Sequence, residues 1–244
     1  MDWYENWFGS PFYKILYQNR DEVEAQAFVE HLMAHLKPPA ACRMLDIACG
    51  EGRFARQLAE KGFDVTGIDI SSASIETAKA SEMDNLQFFV QDMRFPFYIN
   101  YFDYAFNFFT SFGYFAHDRD HALAARSFAA ALKPDGLLVI DYLNYEHVMA
   151  HLVSEEQIER GSYTFSINRR MERKHIVKEI SFIDDSNRPR RYTESVAAFS
   201  LADFTGIFGA AGMELVSTFG DYKLAPYDAV TSPRMIMIFK KKHA

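Results

Sequence analysis

Short apolar runs alternate with amphipathic stretches along most of the chain. Val23, Ala27, Phe28, Leu32 and Leu36 recur at helical spacing after Asp21 and Glu24, a capping-box-like start, and the pattern ends at Pro38 and Pro39. "RMLDIAC" predicts a strand, "GRFARQLAEKG" a helix closed by Gly62, and "FDVTGIDI" a second strand ending in an acid. Ser71 or Ser72 is placed to cap "ASIETAKA". "LQFFVQD" and "FDYAFNFFT" read as the third and fourth strands. The helix "HALAARSFAAAL" is stopped by a turn at Lys133-Pro134-Asp135-Gly136, and the strand "LLVIDYL" follows. This alternation predicts an α/β, doubly wound and mostly parallel sheet covered on both faces. After about residue 155 the period changes. "YTFSINRRM", "HIVKEISFI" and "RRYTESVAAFS" read as an antiparallel meander, before Ser200 caps "LADFTGIFGAAG" and the strands "MELVSTF" and "RMIMIF" close the chain. The expected organisation is an N-terminal aromatic flap and helix over residues 1–40, an α/β domain over 41–155 and 200–244, and an inserted antiparallel meander over 156–199.

Charge and composition narrow the function. The 244 residues carry 26 basic and 33 acidic side chains, a formal charge of −7, which disfavours binding to nucleic acid. Two cysteines, Cys42 and Cys49, make no disulfide framework and suit a reducing compartment. The opening "MDWYENWFGS" has no basic stretch followed by an apolar run, and no segment is long and apolar enough to span a bilayer, so a cytoplasmic protein with no membrane partner is expected, as a monomer or homodimer. Phe and Tyr number 23 and 13, enough for a large core or an aromatic-lined pocket. Trp3, Tyr4, Trp7, Phe8, Phe12, Tyr13 and Tyr17 crowd the first seventeen residues, which suit a flap packed on the core and closing over a ligand, with Tyr13 and Arg20 as its polar contacts.

The stretch "LDIACGEGR" concentrates the candidate chemistry. It lacks the Lys-Ser or Lys-Thr pair of a phosphate-binding P-loop. Gly50, Gly52 and Ala55 do satisfy G-x-G-x-x-A, with Asp69 at a distance suited to a ribose, so an NAD-dependent oxidoreductase is one alternative. Asp46 argues against it, because a carboxylate four residues before the first glycine suits a cationic ligand. The stretch resembles the first motif of class I S-adenosylmethionine-dependent methyltransferases, with Ala48 where many members have a glycine. "GIDIS", "VQDM", "FDYAFNFFTSFGYF" and "LKPDGLLVIDYL" match that family's later motifs in order, over roughly residues 43 to 142. The resemblance implies a seven-stranded Rossmann-like methyltransferase sheet that takes S-adenosylmethionine as cofactor and releases S-adenosylhomocysteine. It further implies that Asp46, Ala48, Gly50 and Gly52 form the methionine-side loop, that Asp69 and Ile70 sit at the ribose, that Asp92 and Met93 sit at the adenine, and that Asn107 ends the fourth strand beside the cofactor.

Methyl transfer needs chiefly an oriented acceptor and excluded water, so few catalytic residues are expected. His117, Tyr114 and Tyr142 are the candidates to orient the acceptor or take a proton. The three histidine pairs at i, i+4 (His31/His35, His117/His121, His147/His151) lack the intervening glutamate of a zinc helix, and no metal is expected. Cys49 reads as structural. The "N/D-P-P-Y/F" signature of base and glutamine methylation is replaced by "NFFT", which disfavours those acceptors. The inserted meander over 156–199 resembles those that lid the pocket in small-molecule members of the family, so the resemblance implies a small-molecule acceptor methylated on nitrogen or oxygen. Eight basic residues against four acids between 169 and 191 raise the prospect of an anionic acceptor, or else are a solvated sheet face. A non-catalytic S-adenosylmethionine-binding protein is the other alternative.

Overall fold

The computed structural model describes residues 3–18 and 22–243. Along the chain the strands are β1 (Arg43–Ile47), β2 (Asp64–Asp69), β3 (Leu86–Val90), β4 (Phe102–Asn107), β5 (Leu132–Leu143), β6 (Glu155–Arg160), β7 (Tyr163–Glu172), β8 (His175–Ile183), β9 (Pro189–Ala197), β10 (Met213–Phe219) and β11 (Arg234–Lys241). The helices are α1 (Trp3–Phe8), α2 (Pro11–Leu16), α3 (Glu22–Leu36), α4 (Arg53–Glu60), α5 (Ser72–Lys79), α6 (Asp118–Ala131), α7 (Tyr145–Ala150) and α8 (Leu201–Ala210).

Seven strands form one sheet in the order β10-β11-β5-β4-β1-β2-β3. The pairs from β5 through β4, β1 and β2 to β3 are parallel, and β11 is antiparallel to both of its neighbours. Met44, Leu45, Asp46 and Ile47 of β1 are all buried, as a central parallel strand covered on both faces requires. One face packs Phe102 and Ile140 against Phe128 of α6 and Phe204 and Phe208 of α8. The other packs Met44 and Phe106 against Phe28 of α3 and Phe54 and Leu58 of α4. Local chemistry sets the helix starts. Ser71 caps α5, and Ser200 with Asp203 forms a complete capping box on α8. Asp21, the expected cap of α3, lies outside the described residues.

The inserted meander has four strands, β6-β7-β8-β9, rather than three. Strand β6, "EEQIER", escapes the hydrophobic pattern because it is a charged edge strand in which Ile158 is the sole apolar side chain. The six-residue α7 also went unpredicted. Residues Lys133–Gly136, expected as a turn, stay within β5, with Asp135 at φ 62° and a register shift against β4.

One face of the small sheet is polar and exposed, with Thr164, Ser166 and Asn168 outward. The opposite face buries Phe165, Ile167, Ile180 and Phe182, and the side chains that cover it are Trp7 and Leu16, with Phe12 beside them. The aromatic N-terminus is therefore the second half of a separate small core, which explains its composition.

Gly67 in the middle of β2 sets a packing limit, because a Cβ there would stand 2.5 Å from the fully buried Phe88 ring and 2.9 Å from Cys49 Sγ. Gly67→Ala is expected to destabilise the fold by about 1–3 kcal/mol through overpacking, measured by urea denaturation. An unchanged midpoint would show that Phe88 can yield.

Candidate functional site

Ligands of open α/β sheets sit outside the carboxyl ends of the strands, where the strand order reverses. Here the reversal lies between β1 and β4, and a cavity of about 780 Å³ opens there. Its floor is the loop after β1. Ala48, Gly50 and Gly52 all take left-handed φ values, 60°, 57° and 78°. A Cβ at Gly52 would collide with the Phe88 ring, so close packing behind the loop demands glycine. Gly52 itself does not line the cavity, whereas Ala48, Cys49 and Gly50 do. A Cβ at Gly50 would meet no protein atom within 4 Å, so the space beside this backbone is the cavity's own.

Asp69, at the carboxyl end of β2, locks the loop. Its Oδ2 accepts from Gly50 N–H at 2.8 Å and its Oδ1 from Ser71 N–H at 2.8 Å. Burial raises its pKa, and those same amides pull it back down. Asp46 has less compensation. It is 1% exposed, its Oδ2 has no hydrogen-bond partner among the described residues, and it lines the cavity. Burial pushes its pKa up to about 7, the neighbouring Asp69 charge adds to this, and the Ala55 amide and Arg53 charge oppose it. A buried, half-satisfied carboxylate at a cavity wall is a seat for a cationic hydrogen-bond donor. Cys49 is buried, and that burial raises its thiol pKa well above the ordinary value, which disfavours a reactive thiolate.

Ile70, just after β2, and Asp92 and Met93, just after β3, line the cavity. The Asp92 carboxylate is held by Arg94, whose Nε and Nη2 donate at 2.9 and 2.6 Å, so its orientation is already fixed from the protein side. Asn107 is fully buried and donates to Ile47 O at 3.0 Å. It ties β4 to β1 and is not among the residues that line the cavity.

The opposite wall comes from the N-terminal segment. Tyr4, Phe8, Tyr13, Lys14 and Tyr17 face the cavity, and Lys14 pairs with Glu51 of the glycine loop. Phe8 meets Tyr114 edge-to-face at 5.2 Å. Behind this wall, Trp7 Nε1 donates to Glu194 at 2.6 Å, and the Tyr17 hydroxyl donates to the same carboxylate at 2.7 Å. No residue of the expected lid, 156–199, lines the cavity. The small sheet carries the aromatic segment, and that segment forms the cover. Arg20 lies outside the described residues.

Of the three catalytic candidates, Tyr114 lines the cavity. Tyr142 is fully buried away from it and donates its hydroxyl to Ala197 O at 2.5 Å, so it fastens the small sheet to the main one. His117 precedes α6 on the exposed surface, outside the lining. Its helical partner His121 is 2% exposed among Phe112, Phe115 and Phe199, and burial lowers its pKa to about 4. No group of metal-binding side chains forms among the described residues. The basic run does not line the cavity either. Four of its eight cations, Arg169, Arg170, Lys178 and Arg190, pair with Glu156, Glu179, Glu194 and Asp184. No helix among the described residues is long and apolar enough to cross a membrane.

The loop after β4 is the part whose construction the sequence conceals. Phe108, Phe109, Thr110 and Ser111 line the cavity, and Phe109 and Thr110 are consecutive non-glycine residues at φ 55° and 59°. Left-handed backbone costs about 1–2 kcal/mol per residue, so neighbouring groups must hold this loop in place.

Residues 17–218 match the family described as Methyltransferase domain. A methyltransferase-like protein of Geobacillus sp. (strain WCH70) is 26% identical over 227 residues, covering 88% of this chain and 91% of that protein. The methyltransferase-like YqeM of Bacillus subtilis (strain 168) is 38% identical over 109 residues, an alignment covering 42% of this chain and 43% of that relative. Among solved structures, an S-adenosylmethionine-dependent methyltransferase from Clostridium acetobutylicum ATCC 824 superimposes with a TM-score of 0.79 at 16% identity, covering 98% of this chain and 99% of that one. CalS10, an amino pentose methyltransferase from Micromonospora echinaspora, gives 0.69 at 17% identity, covering 96% and 98%.

Asp46 makes the fold sensitive to pH. A folded-state pKa raised from 3.8 to about 7 means that the native state holds this proton more tightly than the unfolded chain does. Its burial therefore costs nothing below pH ~4, costs progressively more up to pH ~7, and is constant above that. Asp46→Asn is expected to gain stability relative to wild type between pH 5 and pH 8, by an amount on the order of 1–4 kcal/mol in urea denaturation. A difference that is flat or opposite in sign would mean that the carboxylate is compensated.

Proposed function

The chain belongs to the methyltransferase-domain family of S-adenosylmethionine-dependent enzymes, and on that premise we propose that it transfers the methyl group to a nitrogen or oxygen of a small-molecule acceptor held under its aromatic N-terminal segment. The observation that carries this reading is the continuity of one cavity. Its acidic, glycine-walled half contains Asp46, Gly50 and Asp69, and its aromatic, hydroxyl-bearing half contains Phe8, Tyr13, Tyr17 and Tyr114. Enclosure by the chain's own N-terminus suits an acceptor small enough to lie within it. The amino pentose substrate named for CalS10 is of that size class.

The residues present fit the cofactor. The unpartnered Asp46 oxygen suits an ammonium, the Asp69 carboxylate suits ribose hydroxyls, the open space beside Gly50 admits a chain close to the backbone, and Ile70 and Met93 offer apolar contact to a purine. When bound, S-adenosylmethionine supplies a methyl group made electrophilic by the sulfonium. The protein's work is then to orient the acceptor and exclude water, which can supply about 7–11 kcal/mol without a covalent catalyst. Tyr17, Tyr13 and Phe8 close the chamber, with Lys14 clasping Glu51 across its mouth. Tyr114 presents a hydroxyl that can donate to a lone pair of the methyl acceptor or accept a hydrogen bond from its N–H or O–H.

Asp69→Ala is expected to weaken S-adenosylhomocysteine binding by about 1–3 kcal/mol, because it removes a hydrogen-bond acceptor and loosens the Gly50 loop. Calorimetric titration of the variant checks this, and an unchanged dissociation constant would remove Asp69 from the site. With an acceptor found by screening small amines and hydroxyl compounds against methyl-labelled cofactor, Tyr114→Phe is expected to lower turnover by about 2- to 10-fold, the worth of one hydrogen bond, at unchanged cofactor affinity. Equal losses in both would mean collapse of the chamber, and failure of every acceptor in the screen would count against a small-molecule substrate.

A further inference from the structure

The strained loop is clamped from outside the cavity by one carboxylate. Asp141, fully buried on β5, accepts Phe109 N–H at Oδ2 at 2.8 Å, and its main-chain carbonyl accepts Thr110 N–H at 2.9 Å. Arg234 of β11 donates through Nε to Asp141 Oδ1 at 2.8 Å and through Nη2 to Thr110 Oγ1 at 3.0 Å. The Tyr222 hydroxyl donates to Asp141 Oδ2 at 3.2 Å. Neither Asp141, Arg234 nor Tyr222 lines the cavity, while Phe109 and Thr110 do.

The β4–β5 and β5–β11 ladders are main-chain pairings in which the side chains of Asp141 and Arg234 take no part, and a glycine would make the turn without a clamp. The chain instead puts an aromatic and a β-branched residue at left-handed positions and buries an ion pair behind them. That arrangement is costly unless the loop's shape matters. We propose that Asp141 and Arg234 are positioning residues for methyl transfer, fixing residues 108–111 in the form that meets the acceptor. Arg234 divides its guanidinium between the carboxylate and the Thr110 hydroxyl, so Thr110 Oγ1 is used as an acceptor and keeps its own proton to donate. The assignment rests on the methyltransferase reading of the cavity, and it places acceptor alignment partly on two strands that never touch the ligand.

The test compares wild type, Asp141→Asn and Arg234→Lys by calorimetry with S-adenosylhomocysteine, by amide hydrogen exchange over residues 102–115, and by steady-state turnover with the acceptor returned by the methyl-label screen. Expected are S-adenosylhomocysteine affinities within about threefold of wild type and exchange at Phe109 and Thr110 faster by at least about tenfold, with protection in β1 and β4 retained. Turnover at saturating cofactor is expected to fall at least about tenfold while the KM for S-adenosylmethionine holds. Unchanged exchange at Phe109 and Thr110 would overturn the proposal. So would acceleration spread evenly over β4, β5 and β11 together with lost cofactor affinity, the mark of a merely structural pair. If Asp141→Asn fails to fold, Arg234→Lys decides, since it keeps a positive charge opposite Asp141 but loses the fork that reaches Thr110. Failure of wild type to bind S-adenosylhomocysteine would instead refute the cavity reading, a separate outcome from failure of the clamp.

Discussion

The hydrogen bond from Gly50 N–H to Asp69 is the constraint around which the site is arranged. Three residues within five adopt left-handed backbone in the loop after β1, a shape with little intrinsic stability. Asp69 fastens that loop to the end of β2 and uses its second oxygen to start the turn into α5. With the loop pinned, Asp46 is left beneath it, desolvated, with one oxygen unpartnered. The glycine at 52 allows Phe88 to press against the loop from behind, and Gly67 allows the same ring to pack against β2. Phe88 thus serves as a plug that the glycines at 52 and 67 permit.

Over this floor the chain builds a cover in an indirect way. The small antiparallel sheet has an apolar face and no helix of its own to bury it. Trp7, Phe12 and Leu16 fill that role. Burying them turns Tyr13 and Tyr17 toward the cavity from the same short segment. Glu194 then binds both the Trp7 indole and the Tyr17 hydroxyl, and its negative charge, after burial, raises the Tyr17 pKa. Small-sheet core, segment and cavity wall are therefore a single mechanical unit, with Lys14 and Glu51 as its contact with the floor.

Much of this was legible in the sequence because it is local. The strand rhythm, the caps at Ser71 and Ser200, the loop 45–53 and the acids ending β1, β2 and β3 are each written within a few consecutive residues. What escaped depends on distant partners or on weak patterning. Arg234 meets Asp141 across 93 positions, and no local signal connects them. Tyr142 and Asn107 were expected at the cavity because they lie near it in sequence, but strand alternation turns one into the interface between the sheets and the other toward Ile47. His117 follows the right loop yet falls where α6 begins, beyond the opening. Strand β6 lacked the apolar alternation by which the others were found. The meander was expected over the cavity from its resemblance to lids, while the aromatic backing that covers its apolar face is 140 residues or more away in sequence, at the N-terminus.

The account turns on Asp46 as the seat of a cation, and proton release measures that directly. Calorimetric titration of wild type with S-adenosylhomocysteine at pH 6, in buffers of different ionisation enthalpy, counts the protons exchanged on binding. With the free carboxyl's pKa at about 7, a bound ammonium should expel most of one proton at pH 6 and little by about pH 8.5, and Asp46→Asn should abolish the difference. Binding without proton release at pH 6, or release that persists in Asp46→Asn, would contradict the assignment and place the cationic end of the ligand elsewhere in the cavity.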